Sequence, residues 1–114
     1  MITNAGWVIL STSLRGIMLN KLDVGRNLIG DIAINALTNA LLNNSMLKTL
    51  SFYENPAVTP AGWMNLSTIL RNPTSALEVI YVRNNSINDE VVYSFADALA
   101  NNNKLRKLNV GFQD

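Results

Sequence analysis

The feature that most constrains this chain is a repeated spacing of apolar residues. Four segments share one pattern, in which apolar residues stand at the first, fourth and sixth places and an amide side chain stands at the ninth. These segments are Leu19–Asn27, Leu47–Asn55, Leu77–Asn85 and Leu105–Gln113, so successive starts lie 28, 30 and 28 residues apart. A period of this length is typical of structural repeats that stack on their neighbours.

A second pattern recurs between these segments. The residues Leu10, Leu37, Leu66 and Phe95 are each followed four positions later by a leucine. A spacing of four places both side chains on one face of a helix. The alternation of Leu22 and Val24 in the first segment fits a short strand with one buried face. Each repeat is therefore predicted to be a strand, a turn and a helix, with parallel strands on one side and helices on the other.

Two types of unit alternate along the chain. The segment Ile2–Trp7 returns 56 residues later as Val58–Trp63, with the same alanine, glycine and tryptophan at its end. The intervening unit carries Asp31 at its helix start, and Asp89 stands at the matching place 58 residues later. The order of units is A-B-A-B.

These repeats resemble the leucine-rich repeat family, specifically its ribonuclease-inhibitor-like class with units of about 28–29 residues. The resemblance covers essentially the whole chain. It implies an α/β solenoid, a horseshoe segment with a concave parallel β-sheet and convex α-helices, formed by residues 1–114 as a single domain. Members of the family commonly recognise other proteins through the concave face or its loops, so the resemblance implies a protein partner.

The two ends of the pattern are unusual for a solenoid. The chain begins inside a helix-forming half-unit and ends just after a predicted strand, without a polar capping unit. Solenoids normally need caps that shield their terminal cores. We therefore expect a piece of a longer repeat array, or a subunit whose two ends contact neighbouring repeats or subunits.

The composition argues against chemistry. Cysteine and histidine are absent, which removes thiol nucleophiles, Ser-His pairs and the usual zinc ligands. The eight acidic residues are scattered over the units. The best local pair, Asp89-Glu90, opens a predicted helix, where acidic side chains favour the helix dipole. We predict no enzymatic activity, no cofactor and no metal site.

The charge gives no reason to expect nucleic acid or a membrane as partner. The formal net charge is +1, and Lys104, Arg106 and Lys107 are interpreted as a solvated surface. No apolar run approaches the roughly 20 residues that span a bilayer. The prediction is an intracellular, cytoplasmic protein without nucleic-acid binding or membrane insertion.

The recurring asparagines and tryptophans are assigned to structure. Asn27, Asn55 and Asn85 stand where each strand turns, and their amides can satisfy backbone groups in a ladder across stacked units. Trp7 and Trp63 occupy equivalent places in the two A-type units, which favours packing between units over partner binding.

The candidate binding residues are the variable ones that the strand pattern turns outward. Neighbouring parallel strands lie about 4.8 Å apart, so Tyr53 is predicted to lie beside Arg83, within reach of a cation–π contact. Arg26 is likewise predicted beside Glu54. Tyrosine and arginine are enriched at interface centres, although tyrosine also suits strands by propensity. The predicted partner-binding residues are Arg26, Tyr53, Glu54, Val79, Tyr81, Arg83 and Phe112.

Three functions follow as hypotheses. The first is a protein-binding module that uses its concave sheet. The second is a structural subunit of a large assembly that contacts neighbours through its open ends and helical face. The third is a regulatory domain of a larger enzyme, for which no residue here argues.

Overall fold

A computed structural model of the chain describes residues 2–15, 17, 19–25, 29–42, 44, 46–73, 75–82 and 87–111. Helices and strands alternate along these residues. In chain order they are α1 (Asn4–Leu14), β1 (Lys21–Asp23), α2 (Asp31–Leu41), β2 (Thr49–Ser51), α3 (Pro60–Arg71), β3 (Val79–Tyr81), α4 (Asp89–Leu99) and β4 (Lys107–Asn109).

The four strands form one parallel sheet in the order β1-β2-β3-β4. The second residue of each strand pairs in register with the second residue of the next, as in the pairs Leu22–Leu50 and Leu50–Ile80. The helices pack in the same order, each against the helix of the next unit. This arrangement confirms the predicted α/β units and the parallel sheet, whereas the curvature of a horseshoe stays a prediction.

The core lies between the sheet and the helices. Leu50 and Ile80 from the two central strands are 0% and 1% exposed, and Leu37 and Leu66 from α2 and α3 are 0% and 1% exposed. Full burial of such a side chain stabilises the fold by about 1.5–3 kcal/mol. The predicted helix face is therefore the one that covers the sheet.

Leu10 departs from this pattern, since 39% of its surface is exposed while the matching Leu37, Leu66 and Phe95 are buried. Its helix, α1, packs against α2. Along the ranges given above, no helix packs on the other side of α1. The period of the sequence therefore predicts the helix face on which Leu10 lies, but not the exposure of its side chain.

The two tryptophans are packing residues, as predicted. Trp7 is 4% exposed and Trp63 is fully buried. The Trp63 ring meets Phe52 edge to face, with 5.8 Å between the ring centroids. Pro60 opens α3, where a missing backbone N–H costs little.

Asn55 fulfils the predicted role of a ladder asparagine. Its buried Nδ2 donates to the carbonyl oxygens of Val24 at 3.1 Å and of Phe52 at 2.8 Å, so one amide joins two successive units. Glu54, the residue before it, has a φ of 58°, which turns the chain away from the strand. The matching Asn27 and Asn85 lie outside the described residues.

A second asparagine ladder, absent from our predictions, lies where the chain leaves the helices. Nδ2 of Asn102 donates to the Leu70 carbonyl at 3.0 Å, while its Oδ1 accepts from the backbone N–H groups of Lys104 at 2.8 Å and Leu105 at 2.9 Å. Similar links join Asn44 to Ile17 and Asn72 to Leu42. The C-terminal ends of α2, α3 and α4 are thus each tied to the preceding unit.

The helices are short. None of those within the described ranges is both long and apolar enough to cross a membrane.

Candidate functional site

The open face of the sheet, which the helices do not cover, carries a hollow of about 260 Å³. All four units contribute to it, because its walls come from the outward positions of the strands and the residues just beyond them. The lining residues are Lys21, Asp23, Ser51, Tyr53, Tyr81 and Asn109.

Ser51 is the most buried residue of this hollow. It shares the outward strand position of Asp23 and Tyr81, yet only 5% of its surface is exposed. In the sheet it lies between Asp23 on β1 and Tyr81 on β3, and Tyr53 follows two residues later in the chain. The larger neighbours shield the short serine side chain. Because this side chain extends less far from the sheet than theirs do, it forms the floor of the hollow.

Tyr53 leans over the first unit. A methyl group placed on Gly25 would lie 2.6 Å from Cδ1 of the Tyr53 ring, which is closer than carbon atoms approach one another. Gly25 therefore leaves the space that the ring occupies. The lack of a side chain in one unit sets the position of an aromatic ring in the next.

Tyr81 has a cation above its ring. The Nζ of Lys107 on β4 lies 5.1 Å from the ring centroid, within range of a cation–π contact. Such contacts at exposed sites contribute about 0.5–1 kcal/mol. The cation–π pair expected from the sequence, Tyr53 with Arg83, involves a residue outside the described ranges.

The edges of the hollow are polar and are held by the backbone. Asp23 accepts a hydrogen bond from the backbone N–H of Gly25 at 2.9 Å. Asn109, at the opposite edge, accepts one from Gly111 at 3.1 Å. Both side chains are thereby fixed where the strand ends, and β1 adds the exposed cation Lys21.

The predicted residues divide into three groups. Tyr53 and Tyr81 come together as walls of one hollow. Val79 and Glu54 are half-buried and do not line it, Val79 being the register neighbour of Lys107. Arg26, Arg83 and Phe112 lie outside the described residues.

Our predicted patch omitted Asp23, Ser51 and Asn109. The sequence does contain a signal for them, because these three residues and Tyr81 occupy the same outward position of successive strands. Choosing residues by type favoured large aromatic and arginine side chains. A hollow also needs small and polar residues between them.

A larger cavity of about 490 Å³ lies where α3 and α4 end. Its polar side chains include Asn72 and Asn102, whose amides already bind backbone carbonyls of the preceding unit. This cavity is part of the inter-unit ladder. The hollow on the sheet offers two phenol rings, a hydroxyl, an amide, a carboxylate and one lysine, which can stack on and hydrogen-bond to a ligand.

No family model and no curated protein matches the sequence. Solved structures do match, and two of them are described here. "Leiomodin-1 Actin-Binding Site 2 (ABS2)" is 19% identical with a TM-score of 0.81, over 97% of this chain and 65% of that chain. The tropomodulin C-terminal domain of Caenorhabditis elegans is 14% identical with a TM-score of 0.61, over 97% of this chain and 84% of that chain.

At these identities the likeness concerns the fold alone, and this chain spans just under two thirds of the leiomodin structure. The shared fold is leucine-rich-repeat-like, which agrees with the resemblance found in the sequence. Membership of the ribonuclease-inhibitor-like class stays a prediction.

Proposed function

We infer that this chain is a protein-binding module that holds its partner against the open face of the sheet. The observation that carries this proposal is the pair of tyrosines, Tyr53 and Tyr81, on the walls of one hollow whose floor is Ser51. Tyrosine is among the residues that dominate binding energy at protein interfaces. The partner would insert a projecting side chain between the two rings.

The size of the hollow supports a side chain as its ligand. Sites for drug-sized molecules and cofactors enclose about 300–1,000 Å³. The hollow here, at about 260 Å³, lies below that range and is bordered by charges of both signs, Lys21 and Asp23. A partner surface with one apolar or aromatic side chain among polar groups fits it best, and we propose neither a catalytic role nor a cofactor.

Actin is the first partner to test, because the similar leiomodin-1 structure bears the name of an actin-binding site. Binding of the purified chain to monomeric and filamentous actin can be measured directly. Should actin not bind, affinity capture with cross-linking from the native source identifies the partner against which the same variants are tested.

The decisive variant replaces both tyrosines, Tyr53→Ser with Tyr81→Ser. We expect binding to weaken at least about tenfold, since truncation of one strong interface residue costs about 2 kcal/mol or more. Adding Arg83→Ser tests the third predicted anchor. The matched control is Ile32→Ser, which removes a large apolar side chain that is 59% exposed on α2, away from the sheet.

Loss of affinity in the double variant and full affinity in the control support the open face. If the double variant binds as tightly as the wild type, the proposal is wrong. Circular dichroism and urea unfolding establish that each variant keeps its fold.

Three broader expectations remain proposals. These are a single domain over residues 1–114, a horseshoe-shaped solenoid, and a cytoplasmic location. The alternative of a structural subunit is favoured by one observation, the exposed apolar side chains of α1 and α4, such as Ile9 at 70%. Cross-links that map to these helices, with none near Tyr81, would support that alternative.

A further inference from the structure

The most exposed large apolar side chains of the described residues lie on the two outermost helices of the row. Ile9 on α1 is 70% exposed and Tyr93 on α4 is 72% exposed. Ile2 and Leu10 accompany Ile9 at 47% and 39%, and Val92 accompanies Tyr93 at 44%. Large exposed apolar patches on soluble proteins commonly mark interaction sites.

The row contains an internal contact that shows what such faces bind. Helix α2, of the B type, packs against α3, of the A type. In this contact the Oδ1 of Asn35 accepts a hydrogen bond from Nδ2 of Asn65 at 2.9 Å. Asp31 accepts from both the backbone N–H of Thr59, at 2.8 Å, and its hydroxyl. We call this contact the B–A seam.

Because the two types of unit alternate, each helix of the B–A seam corresponds to a helix that has an open face. Residues of α3 correspond to residues of α1 that precede them by 56 positions, and residues of α2 correspond to residues of α4 that follow by 58. By this correspondence Asn65 becomes Ile9, and Asn35 becomes Tyr93. The polar pair Asn35 and Asn65 of the seam thus corresponds to two apolar residues, Tyr93 and Ile9, on the open faces.

The polar part of the seam is retained. Asp31 corresponds to Asp89, and Thr59 corresponds to Thr3, so the acceptor and the donor of the seam are present on opposite open faces. The buried Ile34 corresponds to Val92, which keeps a branched apolar side chain.

The close-approach site of the seam is also retained. A methyl group on Gly62 would lie 2.5 Å from Oδ1 of Asp31 and 3.0 Å from Cγ2 of Ile34, so the glycine lets α3 approach α2. Gly6 occupies the same place on α1. No atom of another helix lies within 4 Å of the methyl position there, among the residues the structure describes.

We propose that the open face of α4 docks on the open face of α1 of a second copy, so that copies join head to tail and continue the alternation of B and A units. In this joint Tyr93 packs on Ile9, Val92 faces Gly6, and Asp89 accepts hydrogen bonds from Thr3. Strands β4 and β1 are the opposite edges of one parallel sheet, so the same joint brings them side by side.

A contact of this kind is heterologous, because two different faces meet. It produces rings when the rotation between copies closes, and open chains when it does not. The wild type should therefore form a concentration-dependent series of species larger than a dimer. An assembly through two identical faces would stop at the dimer.

Sedimentation velocity over a range from low micromolar to submillimolar concentration tests the joint. The variants Ile9→Asp and Tyr93→Asp should each be monomeric alone, since each blocks one face. Mixed together they should form a one-to-one heterodimer, because the first keeps its α4 face and the second keeps its α1 face. That heterodimer should not grow further.

The matched control is Ile32→Glu. Ile32 is 59% exposed on α2, and its counterpart in α4 is Glu90, so the change is compatible with the helix and lies outside the joint. This variant should associate as the wild type does. The variants Ile9→Asn and Tyr93→Asn form a milder set, since the B–A seam has asparagine at both positions, and their double variant should associate more strongly than either alone.

A wild type that stays monomeric over the whole range would overturn the proposal and leave these faces to further repeats of a longer chain. Self-association of Tyr93→Asp alone would also overturn it, because that result indicates contact between two α1 faces. A mixture that remains monomeric would have the same consequence. The sheet-face variant Tyr53→Ser with Tyr81→Ser should associate normally, which separates this proposal from the proposed function.

Discussion

Replacement of Gly62 by alanine should destabilise the fold, although the same change usually stabilises a helix. The new methyl would lie 2.5 Å from Oδ1 of Asp31 and 2.7 Å from Cγ1 of Val58. Val58 and Ile34, which meets the methyl from α2, are 1% and 0% exposed, so neither can move into solvent. Either α3 must move away from α2, or Asp31 must give up its bonds to Thr59.

The magnitude follows from opposing effects. Adding a methyl group to a packed interior costs about 1–3 kcal/mol. Loss of the hydrogen bonds that Thr59 donates to Asp31 costs a further ~1 kcal/mol each. Alanine is favoured over glycine in a helix by about 0.8–1.0 kcal/mol. With both costs counted, the free energy of unfolding should fall by about 2–4 kcal/mol.

Gly6→Ala is the matched control, because Gly6 has the same place in α1. Its methyl would meet Cγ2 of Ile2 at 2.8 Å, and Ile2 is 47% exposed and can move. The control should be neutral or more stable by up to about 1 kcal/mol. Equilibrium urea unfolding, followed by circular dichroism at low protein concentration, measures both variants.

Equal free energies of unfolding for the two variants would refute this prediction. If Gly62→Ala is as stable as Gly6→Ala, the close contact between α2 and α3 does not constrain the fold. A double-mutant cycle then locates the cause, because Asp31→Ala removes the nearest atom and should reduce the cost of the Gly62 substitution. An unchanged cost in that background would leave Val58 and Ile34 as its source.

Two further predictions concern the second asparagine ladder and the hollow on the sheet. Asn102→Ala should lower the free energy of unfolding by about 2 kcal/mol, since one part-buried amide loses a donor bond and two acceptor bonds, whereas the exposed Asn103→Ala should change it by less than about 0.5 kcal/mol. Equal urea midpoints for these two variants would contradict the ladder. Lys107→Ala should change stability by less than about 1 kcal/mol and raise the accessibility of the Tyr81 ring, measured by the rate of tyrosine nitration. An unchanged nitration rate would count against the cation above the ring.

The period of the sequence was sufficient for the order of elements and the parallel sheet. Because each unit must bury the same face, the sequence alone aligns Leu22, Leu50, Ile80 and Leu108, which pair in register in the sheet. The exposure of Leu10 could not be predicted in this way. A periodic pattern states which face a helix buries, but it does not state whether a neighbour lies on each side.

The candidate site was predictable only in part. Counting along the strands places Tyr53 and Tyr81 on the open face, but the depth of the hollow depends on the small residues Ser51 and Gly25. Small residues at the outward positions allow large ones to lean and to enclose space.

The two asparagine ladders were likewise predictable only in part. The ladder at the strand turns follows from position, because Asn55 stands where every unit turns. The ladder that includes Asn102 requires knowledge of which carbonyl lies within reach, and Leu70 is 32 residues away in the chain. The repeated Asn-Asn sequence indicates that these asparagines have a role, but it does not indicate which carbonyl oxygen each amide binds.

The two asparagine ladders also explain how a fold of stacked repeats can bind different partners. Asn55 and Asn102 bind backbone carbonyls, which every residue possesses, so the joints between units do not depend on the side chains at the outward strand positions. Residues such as Thr49 and Val79 carry little of the core, because the register pairs of the second strand positions fill it. Substitution on the open face can therefore change what the sheet binds without loss of the fold, which is the property that a binding surface requires.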